Sequence, residues 1–272
     1  MILYGFASEQ SVIKLFLAGI VPGVMLSLTF GFMAYWMSRR NGYGALSHRF
    51  SFKIALKALG AASPALVIPL VIISGVLLGV FTVSVSAGAA ALYALAYAIV
   101  RGAIQGAIPW REINVAFRRT AIDTGVVMFL LGTSGLLGWV LTRSQAPQGI
   151  VALMHGMGQI EVLALVNVLL LFAGLFLEPA PALLLATPLL LPLVKSVGVD
   201  PVHFGIIMVV NLQLGVLTPP VASAAFVTSR IAGITFEEQT NALWPFLGLG
   251  VVTLLLVTYI PTLAMWIPNH FS

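Results

Sequence analysis

VHFGIIMVVNLQLGVLTPP, residues 202–220, is an apolar stretch of membrane-spanning character that ends in two consecutive prolines. Because Pro219 and Pro220 have no backbone N–H, carbonyl groups of the preceding turn lose their helical partners. In lipid, such groups must find partners inside the protein or face a watery cavity. The stretch is either an ordinary kink in a spanning helix or a broken helix that marks a binding site near the bilayer midplane. The two interpretations carry equal weight, since the polar Asn211 and Thr218 precede the prolines.

The composition identifies an integral membrane protein. Of the 272 residues, 60% are hydrophobic and only 8% are charged, and the mean hydropathy is +1.08. Soluble domains carry about 25% charged residues. Cysteine is absent, which excludes disulfides and thiolate metal sites. The net charge of +5 reflects where basic residues sit relative to the bilayer and does not indicate nucleic-acid binding.

Apolar runs of about 20 residues, the length that crosses a bilayer, alternate with basic loops. The predicted runs are at about 15–37, 61–80, 87–100, 121–141, a fifth from 162, a short one at 182–194, 202–217 followed by 221–231, and 243–266. Two loops hold most of the basic residues, and the positive-inside rule places both in the cytoplasm. These residues are Arg39, Arg40, Arg49, Lys53 and Lys57 in one loop, and Arg101, Arg111, Arg118 and Arg119 in the other.

A second break, FLEPAP at residues 176–181, lies between a long apolar run and a short one. This pattern predicts a re-entrant hairpin, which enters the membrane and turns back. The hairpin tip and the break at 215–220 could face each other and offer carbonyl and hydroxyl oxygens, which suit a hard cation. Helix N-termini nearby would suit a carboxylate. Glu178 is either a functional acid at this tip or a capping carboxylate that reaches water, and both interpretations stay open.

Catalytic signatures are missing from the sequence. It contains no H-E-x-x-H, G-x-S-x-G or Walker A pattern, so we predict that the protein is not an enzyme. Without a nucleotide-binding loop, concentrative transport would need an ion gradient or a partner ATPase. Asp123 and His203 are interpreted as helix-start residues rather than as ligands.

Residues 11–22 and 234–245 echo each other, since each polar stretch leads through a proline into a long apolar helix. Transporters are often built from inverted pairs of this kind. The echo predicts that residues 1–60 are the end of a first repeat with a cytoplasmic linker and that 61–272 are the second inverted repeat. Within the second repeat we expect scaffold helices at about 61–160, the hairpin and broken helix at about 161–235, and a last span at about 243–266.

Together these residues resemble the large membrane subunit (permease) of tripartite ATP-independent periplasmic (TRAP) transporters. The resemblance is carried by Glu178-Pro179 with its flanks, residues 200–212, Leu217–Pro220 and Tyr259–Pro261, with further matches at 138–142 and 147–148. It covers essentially the whole chain.

The resemblance implies an all-α, multi-span elevator-type symporter of the bacterial inner membrane, driven by sodium and using no other cofactor. The implied partners are a small membrane subunit and a periplasmic binding protein, which delivers an organic acid such as a C4-dicarboxylate or sialic acid. The family pattern places the second-repeat sodium site at the two breaks and the substrate cavity beside them. The implied sodium-site residues are Glu178, Pro179, Ala180, Gly215, Thr218, Pro219 and Pro220, and the substrate-cavity candidates are Asn211 and Thr187.

Three departures from the family pattern bear on function. The usual Thr-Pro-Thr-Glu is here Thr82-Val83-Ser84-Val85, and the hairpin acid, commonly Asp, is Glu178. Family members also begin well before Met1, so the first hairpin and the first unwound segment have no counterpart. We therefore expect a truncated permease that is incomplete alone, with the missing N-terminal half as a possible separate chain. The alternative is a non-transporting membrane scaffold or assembly subunit, or a relic fragment.

Overall fold

The computed structural model describes residues 1–42, 51–77, 80–144, 156–219 and 222–271. Eleven helices lie in these ranges. They are α1 (Ile2–Ser8), α2 (Val12–Asn41), α3 (Phe52–Leu77), α4 (Val83–Ile104), α5 (Trp110–Arg143), α6 (Gln159–Phe176), α7 (Pro179–Ser196), α8 (Pro201–Leu217), α9 (Ser223–Ala232), α10 (Phe236–Tyr259) and α11 (Thr262–Phe271).

Seven of the described helices, α2 to α7 and α10, are long and apolar enough to cross a membrane. Helix α8 is also apolar but has only 17 residues. The predicted all-α integral membrane protein is thereby confirmed. Both predicted breaks interrupt helices, since α6 ends at Phe176 before α7 begins at Pro179, and α8 ends at Leu217.

The predicted last run, about 243–266, is divided in the structure. Helix α10 ends at Tyr259, and α11 begins at Thr262. Ile260 between them has φ −120° and ψ 81°, because the residue before a proline is driven out of the α region. Tyr259 thus ends α10 and Thr262 begins α11, whereas hydropathy alone indicates a single span.

The chain divides into two compact units, one formed by Met1–Tyr43 and Val127–Ser272 and the other by Gly44–Val126. In the second unit α3 packs against α4. All the predicted site residues belong to the first unit. The division describes packing, so the predicted repeat boundary between residues 60 and 61 stays a prediction.

Helix α8 is the centre of the first unit. Twelve of its 17 residues are buried, and it contacts α2, α6, α7, α9 and α10. A helix that is apolar all round must be enclosed by protein or lipid, and here other helices of the same unit enclose it. Residues 202–217 are therefore the core of this unit.

Helix α2 runs parallel to α8. A Cβ atom placed on Gly205, near the start of α8, would lie 2.9 Å from Leu15 Cδ2, near the start of α2. Towards the other end, Phe30 of α2 and Leu214 of α8 both pack on Gly250. The two helices therefore begin at the same end of the bundle and run in the same direction.

Helix α10 runs antiparallel to α8. His203 Nε2, at the start of α8, lies 2.8 Å from the carbonyl oxygen of Val257, near the end of α10, whereas Leu214 packs on Gly250 earlier in α10. Because α2 is parallel to α8, α2 and α10 run in opposite directions. These are the two helices that begin in the echoing segments, and opposite direction is what an inverted repeat requires.

The start of α8 is fixed by a side-chain cap. Asp200 Oδ1 accepts hydrogen bonds from the backbone N–H groups of Val202, at 2.7 Å, and His203, at 3.2 Å. Pro201 occupies the first helical position, where the missing N–H costs nothing. The buried His203 serves to join α8 to α10, in agreement with its structural interpretation.

Removing this cap should lower stability measurably. We expect Asp200→Ala to cost about 1 kcal/mol, since capping residues contribute on that order, whereas Asp200→Asn keeps a capping oxygen and should melt close to the parent protein. Thermal melting of the purified chain in detergent compares the three proteins. If Asp200→Ala and Asp200→Asn melted at the same reduced temperature, the lost charge rather than the cap would be responsible.

Candidate functional site

The connection between α6 and α7 is only two residues long. Leu177 and Glu178 have extended backbones, and Glu178 occupies the N-cap position of α7 without a side-chain capping hydrogen bond. Its side chain is exposed, so the carboxylate reaches solvent and does not cap the helix. The Glu178 carbonyl accepts the N–H of Ala182 at 3.1 Å. This connection, residues 177–180, is called the tip below.

The first turn of α7 is poor in N–H donors. Pro179 and Pro181 have no N–H, and the N–H of Ala182 is used by Glu178. Among the first three helical residues, only Ala180 can offer a backbone N–H to a ligand. A helix N-terminus attracts anions chiefly through its free N–H groups, so this one is a weak anion site.

The end of α8 has the opposite character. The N–H of Thr218 turns back to the carbonyl of Gly215 at 2.9 Å, and its hydroxyl donates to the carbonyl of Leu214 at 2.7 Å. Pro219 and Pro220 occupy the positions whose N–H groups would otherwise bond Gly215 and Val216. Spare carbonyl lone pairs, and those of a half-buried hydroxyl, therefore collect at this end, called the break below. Pro220 lies outside the described residues.

The chain leaves the break through an unusual backbone conformation. Ala222, which precedes α9, has φ 38° and ψ 51°, the left-handed region that a residue with a Cβ rarely adopts. Its side chain is buried. Such conformations persist where surrounding packing enforces them and are common at functional sites.

The tip and the break lie at the same end of two parallel helices. Asn167 of α6 bonds Asn211 of α8, and later in both helices Gly174 touches Gly215. Because the second contact lies later than the first in both helices, α6 and α8 are parallel, and their C-terminal ends are neighbours. A Cβ on Gly215 would come 2.6 Å from Gly174 Cα, so the two backbones are in direct contact.

This backbone contact lies close in sequence to both predicted halves of the site. Gly174 lies four residues before Glu178, and Gly215 lies three residues before Thr218. At a rise of about 1.5 Å per residue, Gly174 lies only about one helical turn from the tip, and Gly215 lies about one turn from the break. Glu178, Pro179 and Ala180 thus belong to one side of the arrangement, and Gly215, Thr218 and Pro219 to the other.

The two substrate-cavity candidates are fully buried. The Asn211 amide is hydrogen bonded to Asn167. The Thr187 hydroxyl donates to the carbonyl of Leu183 at 2.6 Å and lies 3.6 Å from Met208 Sδ. Both side chains are thus engaged by the protein itself, and their role in a substrate cavity stays a prediction.

The donor set at the tip and the break consists of oxygen atoms. Carbonyl, hydroxyl and carboxylate oxygens suit hard cations such as Na⁺ or Ca²⁺ and suit softer transition metals poorly. Within the described part of the chain, no three His, Cys, Asp or Glu side chains form a group that could hold a metal ion. The arrangement is therefore suited to a weakly held, hard cation.

Sequence reasoning missed three residues of this region: Gly174, Asn167 and Thr258. Thr258 accepts a hydrogen bond from Asn167 Nδ2 at 3.1 Å. Asn167 is a lone amide in an otherwise apolar run, which is a signal of function in a membrane helix. A glycine in a membrane helix often marks close helix contact, but nothing in the sequence names Gly215 as the partner of Gly174.

Comparisons with known proteins assign the chain to a family of transporters. Residues 1–263 match the family described as "Tripartite ATP-independent periplasmic transporter, DctM component". The sialic acid TRAP transporter large permease protein SiaM of Vibrio cholerae is 33% identical over 100% of this chain and 63% of its own length.

Two further relatives carry other substrate names. The C4-dicarboxylate TRAP transporter large permease protein DctM of Pseudomonas aeruginosa is 34% identical over 99% of this chain and 62% of its own length. The isethionate TRAP transporter permease protein DctMQ of Oleidesulfovibrio alaskensis is 35% identical over 97% of this chain and 42% of its own length. The chain thus spans less than two thirds of each of these relatives.

Proposed function

The chain belongs to the DctM component family of tripartite ATP-independent periplasmic transporters, and from that premise we propose that it is the part of a sodium-coupled importer that carries one of its cation sites. As a member of this family with seven described apolar helices, it is a multi-pass protein of the bacterial inner membrane. The cation site lies between the tip and the break. The observation that carries the proposal is the Gly174–Gly215 backbone contact, which lies about one helical turn before both the donor-poor tip and the carbonyl-rich break.

The charge of the site favours a monovalent cation. It offers one carboxylate, that of Glu178, together with neutral oxygens, so a divalent ion would lack the several carboxylates that it usually requires. Sodium is abundant outside bacterial cells and held low inside, and weak binding allows release at each cycle. The amide-poor start of α7 argues against an anion at the same point.

The bundle geometry supports the predicted re-entrant hairpin. Helix α10 extends 14 residues beyond Gly250, back to Phe236, or about 21 Å past the level of Leu214. Helix α9 occupies this further part of the bundle, since Phe226 packs on Phe236 with ring centroids 6.3 Å apart. Because the tip is level with the break, it stops well short of that end. The tip therefore lies at depth within the membrane.

The basic residues orient the hairpin. Arg39 and Arg40 lie in the last turn of α2 and Arg230 in the last turn of α9, and both helices point beyond the break. By the positive-inside rule this end faces the cytoplasm. The open ends of the α6–α7 hairpin then face the periplasm, and a cation from the periplasm would meet the tip partway through the bilayer.

The substrate class follows from the relatives. Their names give sialic acid, C4-dicarboxylates and isethionate, all of which are organic anions. We propose an organic acid of the C4-dicarboxylate or sialic acid class as the transported molecule. The proposed partners are a periplasmic binding protein, a small membrane subunit and a chain that supplies the remaining length of the relatives.

Sodium should stabilise the purified chain. A cation at 100 times its dissociation constant adds about 2.7 kcal/mol to the free energy of unfolding, so the melting temperature in NaCl should exceed that in choline chloride of equal concentration. Glu178→Gln and Thr218→Ala should each weaken the sodium affinity roughly tenfold or more, since an interaction with a charged group contributes about 1.5–3 kcal/mol. The rise in melting temperature at a fixed NaCl concentration should shrink accordingly.

Thr29→Ala is the matched control for Thr218→Ala. Thr29 is also half-buried, and its hydroxyl donates to the carbonyl four residues earlier, Met25, at 2.6 Å, as that of Thr218 donates to Leu214. It lies on α2 and belongs to neither the tip nor the break, so its sodium response should equal that of the parent chain. A parent chain that melts identically in both salts would favour the alternative, a non-transporting membrane scaffold. Sodium-dependent uptake by cells that co-express the partners and a matching N-terminal half would then test transport itself.

A further inference from the structure

A buried amide pair joins α6 to α8 upstream of the glycine contact. Asn211 Nδ2 donates to both Asn167 Oδ1, at 2.8 Å, and the Asn167 backbone carbonyl, at 3.0 Å. Asn167 Nδ2 donates in turn to Thr258 Oγ1 of α10 at 3.1 Å. Asn211 and Thr258 are fully buried, and Asn167 is 4% exposed. The interior of the first unit thus holds a polar junction among three helices.

The orientation of the amides is unambiguous. The Asn167 carbonyl can only accept, so the Asn211 nitrogen must face it, and Asn211 Oδ1 points elsewhere. That oxygen is buried and finds no hydrogen-bond partner. A buried acceptor without a partner is destabilising, and an apolar pair of the same shape would serve the fold as well or better. Stability alone therefore does not account for the pair.

The amide pair fixes the register of α6 against α8. The contact between Gly174 and Gly215 allows the backbones to approach but would tolerate sliding, since glycines have no side chains to interlock. Two hydrogen bonds from one amide exist in only one register. Asn211 lies four residues, about 6 Å, before Gly215, so a shift at the amide pair displaces the tip against the break directly.

We propose that Asn167 and Asn211 are positioning residues for the cation site, which hold the tip in register with the break. The proposal rests on the proposed function, because the site that they position is the one proposed there. Neither side chain contacts the cation. Their effect on cation affinity is transmitted through α6 and α8, and it exceeds their effect on stability.

The test is a double substitution, Asn167→Ala with Asn211→Leu, in the purified chain in detergent. Leucine keeps the branching of the asparagine side chain, alanine at 167 leaves room for its larger methyl groups, and no buried amide is left unpaired. We expect the melting temperature in choline chloride to stay within about 3 °C of the parent chain. In a NaCl titration, the concentration that produces a given rise in melting temperature should increase at least about tenfold.

Thr258→Val is the matched control, since it removes the hydrogen bond that Asn167 donates to the third member of the junction and keeps both hydrogen bonds between α6 and α8. Its sodium response should be that of the parent chain. A double variant that keeps the parent sodium response overturns the positioning role and leaves the proposed function standing. A double variant that loses stability and sodium response together shows a merely structural role and also overturns it. A parent chain without any sodium response overturns both proposals.

Discussion

Gly215→Ala is expected to abolish the sodium response and to destabilise the chain by about 1–3 kcal/mol, the usual range for overpacking a tight interior. A Cβ at this position would lie 2.6 Å from Cα and 2.7 Å from the carbonyl carbon of Gly174. Contacting carbon atoms prefer about 3.5–4.0 Å, so α6 and α8 would have to separate by about 1 Å. Because the obstacle is backbone, no side-chain rotation can relieve it.

A graded series tests this expectation. At Gly174 an added Cβ would lie 3.1 Å from Gly215 Cα, so Gly174→Ala should be milder than Gly215→Ala. At Gly248, on α10, a Cβ would meet nothing within 4 Å. Gly248→Ala should therefore be neutral or slightly stabilising, since alanine favours a helix over glycine by about 0.5–1 kcal/mol. Thermal melts of the three variants in NaCl and in choline chloride should follow that order.

The order matters more than any single value. If Gly215→Ala melted like Gly248→Ala, the two backbones would not be in contact, and the argument that sets the tip beside the break would fail. A Gly215→Ala protein that is destabilised but keeps its full sodium response would separate the contact from the cation site.

The helical architecture could be predicted from the sequence because bilayer-length apolar runs are a strong and local signal. Prolines located the breaks for the same reason, since the missing N–H at Pro179 or Pro219 acts within one turn of its own helix. The division at Ile260-Pro261 was not predicted, because the apolar character continues across it. Hydropathy measures the environment of a segment, whereas the helix end depends on one backbone conformation.

The pairing of the two breaks could be anticipated only as a possibility. Opposed polar groups at Glu178 and Thr218 suggested a shared site, but parallel alignment of α6 and α8 depends on contacts between residues more than 40 positions apart, such as Asn167 with Asn211. The identity of a single residue does not indicate which residue it contacts. The fully buried state of Asn211 likewise follows from the helices around it and could not be read from its apolar neighbours.

Tyr4→Ala is expected to have the other largest effect, because it empties a fully buried site that ties α1 to α8. The Tyr4 hydroxyl donates to the Pro201 carbonyl at 2.6 Å, and its ring meets the ring of Phe204 edge to face at 6.3 Å and packs on Gly205. Truncating a buried aromatic residue costs about 3–5 kcal/mol, or a fall of about 10 °C in melting temperature. Tyr4→Phe removes only the hydrogen bond, about 1 kcal/mol, and its melting temperature should fall by about 3 °C.

Because α1 also packs on α7, the return arm of the hairpin, loss of the Tyr4 ring should weaken the sodium response along with stability. Equal melting temperatures for the two variants would instead assign the role of Tyr4 to its hydroxyl alone, and the packing of α1 would then contribute little to holding the tip.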